Sequence, residues 1–242
     1  MNIIEQELGT VKDLPTLPMV ISQVSALIET NETDMSKIAD VIMTDTALTV
    51  RIIRLVNSAF YGLRNHVTSI TQAVVIVGLR AVYNLMLGLT VVKLFKNGKS
   101  THFDPALLWR HSFGCGLLSQ KLAQLVSYPF PDECFIGGLL HDMGRLVLDQ
   151  FLHDKFAAAC RYSVDTGCSL LNAEQHIFGY THEQAGAWLA ERLNIPESYV
   201  ATIQHHHNPA AVADNVSQYR ELVCIIGTAD MLCIRECIGN SG

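Results

Sequence analysis

The sequence has few charged residues. Asp, Glu, Lys and Arg together make up 17% of its 242 residues, against about 25% in an average soluble domain. Hydrophobic residues account for 49%, and the mean hydropathy is +0.24. Because so much apolar surface favours burial, the composition excludes disorder as the main state of the chain. The length allows one large domain or two small ones with a substantial core.

The chain also lacks a long apolar run. The best candidate, residues 81–92, has 12 residues without a charge and is bounded by Arg80 and Lys93. A membrane-spanning helix needs about 20 apolar residues, so this segment is predicted to be a buried core helix. The first residues contain no basic segment followed by an apolar one, and we therefore expect no signal peptide and no membrane association.

Clusters of basic residues and Cys-x-x-Cys pairs are missing too. The net charge is −6 and the sequence pI is about 5.9, and the dispersed Lys and Arg side chains argue against a nucleic-acid groove. The cysteines number seven, which is an odd count. Without an export signal, this pattern favours reduced thiols and a cytoplasmic location.

The alternation of apolar and polar residues that is typical of strands is absent, and apolar residues recur three and four positions apart. This spacing predicts an all-α chain, with helices over 132–151, 197–207 and 217–237 among others. The polar segment 96–100 separates a predicted N-terminal helical lobe, residues 1–98, from a second helical lobe, residues 99–242. Because the segment is short, we expect two packed lobes of one domain.

Polar side chains occupy positions on the predicted apolar stripes. In the helix that starts after Asp104, His111 lies in the middle of such a stripe, and Asp230 has the same place in the last helix. A helix normally keeps polar residues off its buried stripe. The two stripes are formed by Leu108, His111, Cys115, Leu118 and Leu122, and by Val223, Ile226, Asp230, Cys233 and Cys237.

Further histidines lie at comparable positions. His141 and Asp142 are adjacent and flanked by glycines, which let another backbone or a ligand approach closely. His206 and His207 continue the apolar stripe of their helix, and His182 lies in the first turn of another. The remaining histidines are predicted to be solvated or capping side chains: His66, His102, His153, His176 and His205.

These histidines and aspartates are candidate metal ligands. An isolated buried carboxylate costs several kcal/mol unless it is paired or bound to a metal. Lys and Arg are scarce in the chain, and Arg145 is the basic residue nearest to Asp142 in sequence. Imidazole plus carboxylate is the ligand set of Zn, Fe or Mn hydrolytic sites. An adjacent His-Asp pair suits such a site because the Asp can bridge two ions. The alternative is a buried hydrogen-bond network of the same side chains.

Residues 139–145, Leu-Leu-His-Asp-Met-Gly-Arg, resemble the HD-superfamily motif of metal-dependent phosphohydrolases. About residues 9–238 resemble the HDOD subgroup, the HD-related output domain of bacterial signalling proteins. The motifs that carry this resemblance include Leu-Pro-Thr-Leu-Pro at 14–18, Asn-Ser-Ala-Phe at 57–60 and His-His-Asn-Pro at 206–209. The resemblance implies an all-α, multi-helical HD-like bundle with an N-terminal helical lobe packed on it.

The resemblance also implies metal-binding roles. The positions that hold one ion in HD proteins with an intact site are occupied by His111, His141, Asp142 and Asp230. The positions of the further ligands in two-metal relatives of the HD-GYP type are occupied by His182, His206 and His207. By this resemblance, Asp142 would bridge the two ions. One or two ions are expected, and Fe, Mn, Zn and Mg all stay open.

The chain departs from these relatives at two places. Arg145 stands where a lysine often follows the HD-x-G motif, and its guanidinium fork still suits a phosphate contact. Asn208 and Pro209 replace the acidic and Gly-Tyr-Pro segment of the cyclic-di-GMP phosphodiesterases. The resemblance therefore does not extend to that specific activity.

Three functions stay open on the sequence. The whole-chain resemblance favours a bacterial signal-transduction module that retains a His/Asp metal site and acts through contacts with signalling proteins. The intact ligand set favours the alternative, a metal-dependent phosphohydrolase for a nucleotide or phosphodiester, in which the metals activate a bound water. The third is a helical domain without a ligand. We take the first as the main prediction because the resemblance covers more residues than the site does.

Overall fold

The computed structural model of the protein describes residues 3–11, 14–30, 34–59, 61–95 and 103–240. No β-strand occurs within these residues, so the predicted all-α class is confirmed. The α-helices are α1 (Ile3–Glu7), α2 (Met19–Glu29), α3 (Met35–Met43), α4 (Thr46–Val56), α5 (Ile70–Val77), α6 (Leu79–Leu94), α7 (Pro105–Leu125), α8 (Pro131–Leu140), α9 (Met143–Phe151), α10 (His153–Thr166), α11 (Leu170–Phe178), α12 (His182–Arg192), α13 (Glu197–His205) and α14 (Arg220–Arg235).

The chain divides into two compact units. One is Thr16–Leu94, and the other combines Met1–Pro15 with Phe95–Gly242. The sequence instead placed all of residues 1–98 in one lobe, and its boundary segment 96–100 lies outside the described residues. The structure differs because α1 groups with the C-terminal helices.

Acidic side chains hold α1 in the second unit. Trp188 donates its indole N–H to a carboxylate oxygen of Glu5 over 2.7 Å, and Arg192 also pairs with Glu5. The Tyr180 hydroxyl donates to Glu7 over 2.9 Å. No apolar periodicity could have predicted this helix, because it is only five residues long and its specific contacts are polar.

Helices α2 to α6 form the unit Thr16–Leu94. The side chains of Asp34, Asp45 and Ser69 accept hydrogen bonds from backbone N–H groups in the first turns of α3, α4 and α5, as their capping chemistry predicts. Ten of the sixteen residues of α6 are buried, which confirms the predicted core helix. By length and apolar character, no single helix among the described residues could cross a membrane; the pair α5 and α6, bent by 116° at their junction, meets those two criteria together.

A side-chain amide closes the loop between α4 and α5. Asn57 donates from Nδ2 to the carbonyl oxygens of Ile53 and Val67, over 2.9 and 2.7 Å. Its Oδ1 accepts from the Val67 N–H over 2.8 Å. These bonds satisfy the backbone N–H and carbonyl groups of the buried loop residue Val67. They give the first residue of the Asn-Ser-Ala-Phe motif a structural role. The last residue of that motif, Phe60, lies outside the described residues.

Replacing Asn57 by alanine removes these three hydrogen bonds and leaves the buried Val67 N–H without its acceptor. We expect the free energy of unfolding to fall by about 2–3 kcal/mol in urea denaturation. The matched control is Asn65→Ala, an exposed position in the same loop, which is expected to stay within about 0.5 kcal/mol of the parent. Equal effects of the two substitutions would contradict this role of Asn57.

Glycines allow the helices of the second unit to cross at close range. A Cβ on Gly138 of α8 would lie 2.8 Å from the Cα of Gly116 on α7. A Cβ on Gly144 of α9 would overlap the carbonyl oxygen of His182 at the start of α12. Neither contact can be tolerated, so these crossings require glycine. The close approach brings the short His and Asp side chains of different helices within reach of one another.

The predicted helix over 132–151 is in fact two helices. α8 ends at Leu140 and α9 begins at Met143, with His141 and Asp142 in the turn between them. The apolar pattern continues across the turn because both helices are mostly buried, so the sequence pattern did not reveal the break. His141 and Asp142 are both buried at this turn.

The ends of two further helices differ from prediction. α13 ends at His205, so His206 and His207 follow the helix rather than lie within it. α14 spans Arg220–Arg235 and is preceded by a 3₁₀ turn over Asp214–Tyr219. Shifts of this size are ordinary at helix ends, where hydrogen bonding changes from α to 3₁₀.

Candidate metal centre

The seven predicted ligands converge in the second unit. His111 comes from α7, His141 and Asp142 from the turn between α8 and α9, and Asp230 from α14; the other three belong to α12 and the end of α13. They form two sets whose ligand atoms lie within 4.8 Å of one another. The Asp142 group is Asp142, His182, His206 and His207, and the Asp230 group is His111, His141 and Asp230.

The carboxylate of Asp142 lies between the two groups. Its Oδ1 is 3.2 Å from Nε2 of His182 and 3.6 Å from Nε2 of His206. Its Oδ2 is 3.3 Å from Nε2 of His141 and 3.9 Å from Nε2 of His111. One carboxylate therefore presents an oxygen to each group, which is the arrangement expected of a bridging ligand.

The Asp230 group is held together internally. His111 lies between two oxygen atoms, with Nδ1 3.2 Å from the carbonyl oxygen of Ile238 and Nε2 3.0 Å from Asp230 Oδ1. His141 Nε2 lies 3.6 Å from the same Asp230 oxygen. The other oxygen, Oδ2, is 3.6 Å from Nδ1 of His207, so Asp230 contacts a member of each group.

Three histidines have one nitrogen fixed by an acceptor. Nδ1 of His141 lies 2.7 Å from the Gly138 carbonyl oxygen, and Nδ1 of His206 lies 3.0 Å from the Ile203 carbonyl oxygen. His182 Nδ1 lies 2.7 Å from a carboxylate oxygen of Glu174. Because carbonyl and carboxylate oxygens only accept, Nδ1 carries the proton in each ring. Nε2 is then the ring atom that faces Asp142 and is left to bind a metal ion, as in metal-ligating histidines.

Several ligand atoms have no hydrogen-bond partner. The buried atoms without one include Asp142 Oδ1 and the Nε2 atoms of His141, His182, His206 and His207. Buried polar atoms in native proteins are almost always satisfied, and an unsatisfied group calls for an explanation such as a missing ion. Five such atoms in one cluster, all of them good metal ligands, fit a bound metal ion.

The carboxylates are suited to binding a cation. Burial alone would raise the pKa of Asp142, but the positive charges of Arg145 and His141 outweigh it and hold that pKa well below its usual range. Burial likewise opposes ionisation of Asp230, and the hydrogen bond with His111 together with the nearby His141 ring lowers its pKa in spite of this. Both carboxylates are therefore ionised at neutral pH.

Burial favours the neutral ring at His206 and His207. At His182 burial acts in the same direction, but the charge of Glu174 outweighs it and raises the pKa. Burial lowers the pKa of His206 to about 4 and, together with the nearby His206, lowers the pKa of His207 to about 2. For His141, burial also disfavours the charged ring, but the charge of Asp142 outweighs it and raises the pKa. A metal ion that binds His141 must therefore displace a proton.

Arg145 lies inside the cluster. Its Nη1 donates to Asp142 Oδ2 over 2.9 Å, and the residue is 3% exposed. The sequence suggested a phosphate contact for this side chain. That contact stays a prediction. In the structure the guanidinium donates to the shared carboxylate and stabilises its ionised form.

Glu174 is a further buried residue of this cluster that the sequence reasoning did not identify. Its Oε2 accepts from both the backbone N–H and Nδ1 of His182, over 2.8 and 2.7 Å, and the residue is fully buried. Such carboxylate–histidine pairs orient the ring and make it a stronger metal ligand. A signal was available, because Glu174 lies on the buried stripe of α11 with Leu170 and Phe178, just as His111 does on α7.

Within the part of the chain that the structure describes, the other histidines belong to neither group. His153 Nδ1 lies 3.0 Å from Asp149, and the His176 ring stacks on Tyr162 at 4.5 Å between centroids. His205 is a member of neither set. His102 lies outside the described residues.

The centre is closed to solvent on most sides. Six of its seven ligands are at most 2% exposed, and His207 is the exception with a side chain that is 23% exposed. His207 is therefore the most exposed of the seven ligands, and its backbone N–H donates to a carboxylate oxygen of Glu183 over 3.4 Å.

A family model for the HDOD domain matches residues 14–209. The chain belongs to the HDOD domain family. The matched segment contains six of the seven ligands, and Asp230 lies beyond its end. Among curated proteins, an uncharacterised protein of Treponema pallidum is 27% identical to this HDOD chain over 222 residues. That match covers 91% of this chain and 42% of the relative, so the chain spans less than half the length of this curated relative.

Solved structures share the HDOD fold. An HDOD domain protein of unknown function from Geobacter sulfurreducens is 27% identical, with a TM-score of 0.84 over 99% of this chain and 79% of that chain. A "Putative phosphohydrolase" from Shewanella amazonensis is 24% identical, with a TM-score of 0.77 over 97% and 81%. A "Putative signal transduction protein" from Marinobacter aquaeolei is 23% identical, with a TM-score of 0.75 over 99% and 52%. The last two likenesses show the HD-like helical fold alone.

Replacing Glu174 by glutamine removes the charge that orients His182 while keeping the side-chain shape. We expect the affinity for Mn²⁺ to fall on the order of 10- to 100-fold, measured by titration of the folded protein. The control is Glu191→Gln, an exposed acidic position on α12, which should leave the affinity unchanged. Unchanged affinity in the Glu174 variant would refute its positioning role.

Proposed function

We propose that this protein is a cytoplasmic module of bacterial signal transduction that retains a His/Asp metal centre and acts through contacts with signalling proteins. The observation that carries the proposal is the burial of that centre, with six of seven ligands at most 2% exposed. A phosphodiester must reach the metal-bound water to be hydrolysed. A centre that is closed to solvent on most sides therefore favours a structural or sensory metal over a catalytic one.

The donor set favours a transition metal. Five imidazoles and two carboxylates match the preferences of Fe, Mn or Zn. Mg²⁺ prefers oxygen ligands and retains several waters, so it fits a buried, nitrogen-rich centre less well. An ion bound here would supply positive charge to Asp142 and Asp230 and satisfy the unpartnered ring nitrogens.

Exposed apolar side chains support a protein partner. Phe113 and Leu117 lie one turn apart on α7, and Met231 and Ile234 lie on α14, which packs against α7. All four are large apolar residues in the exposed class. Apolar surface of this kind is typical of sites that contact other proteins.

The alternative is a metal-dependent phosphohydrolase acting on a nucleotide or phosphodiester. It is favoured by the full set of seven ligands and by the oxygens that Asp142 presents to both groups. When bound, metal ions in such a centre would lower the pKa of a water and polarise the phosphoryl group. Access next to His207 would then have to widen to admit the substrate.

Metal analysis and an activity panel separate these functions. The purified protein is expected to contain a stoichiometric transition metal and to hydrolyse none of a panel of phosphodiesters and nucleotides. Metal at 100 times Kd should stabilise the fold by about 2.7 kcal/mol, or roughly 5–10 °C in Tm for this size. Asp142→Ala should abolish this stabilisation, whereas Asp165→Ala, an exposed control on α10, should preserve it.

Two results would contradict the proposal. Phosphodiesterase turnover that disappears in Asp142→Ala, with the helical circular dichroism spectrum retained, would establish the phosphohydrolase instead. Absence of any stoichiometric metal would reject the metal centre and leave the buried hydrogen-bond network as its explanation.

A further inference from the structure

The two oxygens of Asp142 have different surroundings. Oδ1 faces the Nε2 atoms of His182 and His206 and has no hydrogen-bond partner. Oδ2 accepts a hydrogen bond from Arg145 over 2.9 Å and faces the Asp230 group through His141. The guanidinium therefore occupies the oxygen that an ion in the Asp230 group would need from the shared carboxylate.

The two groups also differ in how far their ligand atoms are already satisfied. In the Asp142 group, every residue has a buried ring nitrogen or carboxylate oxygen without a partner. In the Asp230 group, the His111–Asp230 hydrogen bond of 3.0 Å uses one atom of each residue, and the atom without a partner is His141 Nε2. An ion entering the Asp230 group must break an existing bond, whereas the Asp142 group loses none.

The charge of Arg145 adds to this difference. The guanidinium is buried among the carboxylates of Asp142, Glu174 and Asp230, each of which favours its charged form. It is a fixed positive charge, because arginine does not lose its proton in proteins. A second divalent ion on the Oδ2 side of Asp142 would lie next to this charge and be repelled in a medium of low dielectric constant.

We propose that this centre binds one metal ion tightly, in the Asp142 group, and that Arg145 acts as a protein cation in place of a second ion in the Asp230 group. The inference rests on the metal centre proposed above. It adds the number of tightly bound ions and the residue, Arg145, that limits this number. Two-metal hydrolysis needs ions about 3.5–4 Å apart that share a bridging ligand, and Arg145 opposes that arrangement at Asp142 Oδ2.

The test is a Mn²⁺ titration by equilibrium dialysis, read by elemental analysis and by electron paramagnetic resonance. The wild-type protein should bind one tight ion and give the spectrum of an isolated Mn²⁺. Arg145→Gln should increase the affinity for a second ion on the order of 10- to 100-fold, the range typical of changes in residues that support a metal ligand. Its spectrum should then show spin coupling between two Mn²⁺ ions. Arg145→Lys keeps a positive charge and should retain the one-ion behaviour.

Ligand variants locate the tight ion without relying on Arg145 variants. His182→Ala should lose it, and His111→Ala should keep it. Arg161→Gln, an exposed position on α10, is the control for removing an arginine. Circular dichroism verifies the fold of each variant, and if Arg145→Gln does not fold, the comparison of His182→Ala with His111→Ala decides.

The outcomes distinguish this inference from the proposed function. Two equally tight ions in the wild-type protein, or loss of the tight ion in His111→Ala but not in His182→Ala, would overturn the inference and leave the metal centre standing. No bound ion in the wild-type protein would refute both.

Discussion

The buried charge of Asp142 is the constraint on which the second unit depends. A carboxylate that is 1% exposed costs several kcal/mol unless other groups compensate for it. Here Arg145 donates to it, and the rings of His141, His182 and His206 approach it within 3.6 Å. The helices that carry these groups must therefore meet at one point.

That requirement explains where the fold places its glycines and its helix break. Histidine and aspartate are short, so their backbones must approach closely, and Gly144 meets the start of α12 at a distance that excludes a Cβ. The turn at His141 and Asp142 takes both residues out of regular helix. In this position each presents its ligand atoms to the ligand side chains of the other helices. The helix is interrupted between α8 and α9 as a result.

Much of this could be read from the sequence because burial leaves a periodic pattern. The stripes placed His111 and Asp230 correctly in the buried interior, and α3, α4 and α5 begin after residues that capping chemistry favours. The break at His141 could not be seen, since both flanking helices are apolar on most sides. The direction of Arg145 could not be seen either, because it depends on a tertiary contact with Asp142. Glu174 is also a polar residue on a buried stripe, but it was identified only from its contact with His182.

A metal centre of this construction can influence the fold without turning over a substrate. The Asp142 group takes its ligands from the turn between α8 and α9, from α12 and from the end of α13, so one ion bound there would link segments that are distant in sequence. Ion binding stabilises only the arrangement in which those helices meet. Loss of the ion leaves Asp142 with Arg145 and the histidines alone, which weakens the same helix crossings. α7 packs against α8, and α14 packs against α8 and α13. A partner that contacts α7 or α14 would therefore experience the occupancy of the centre as a change in the stability of its own binding surface.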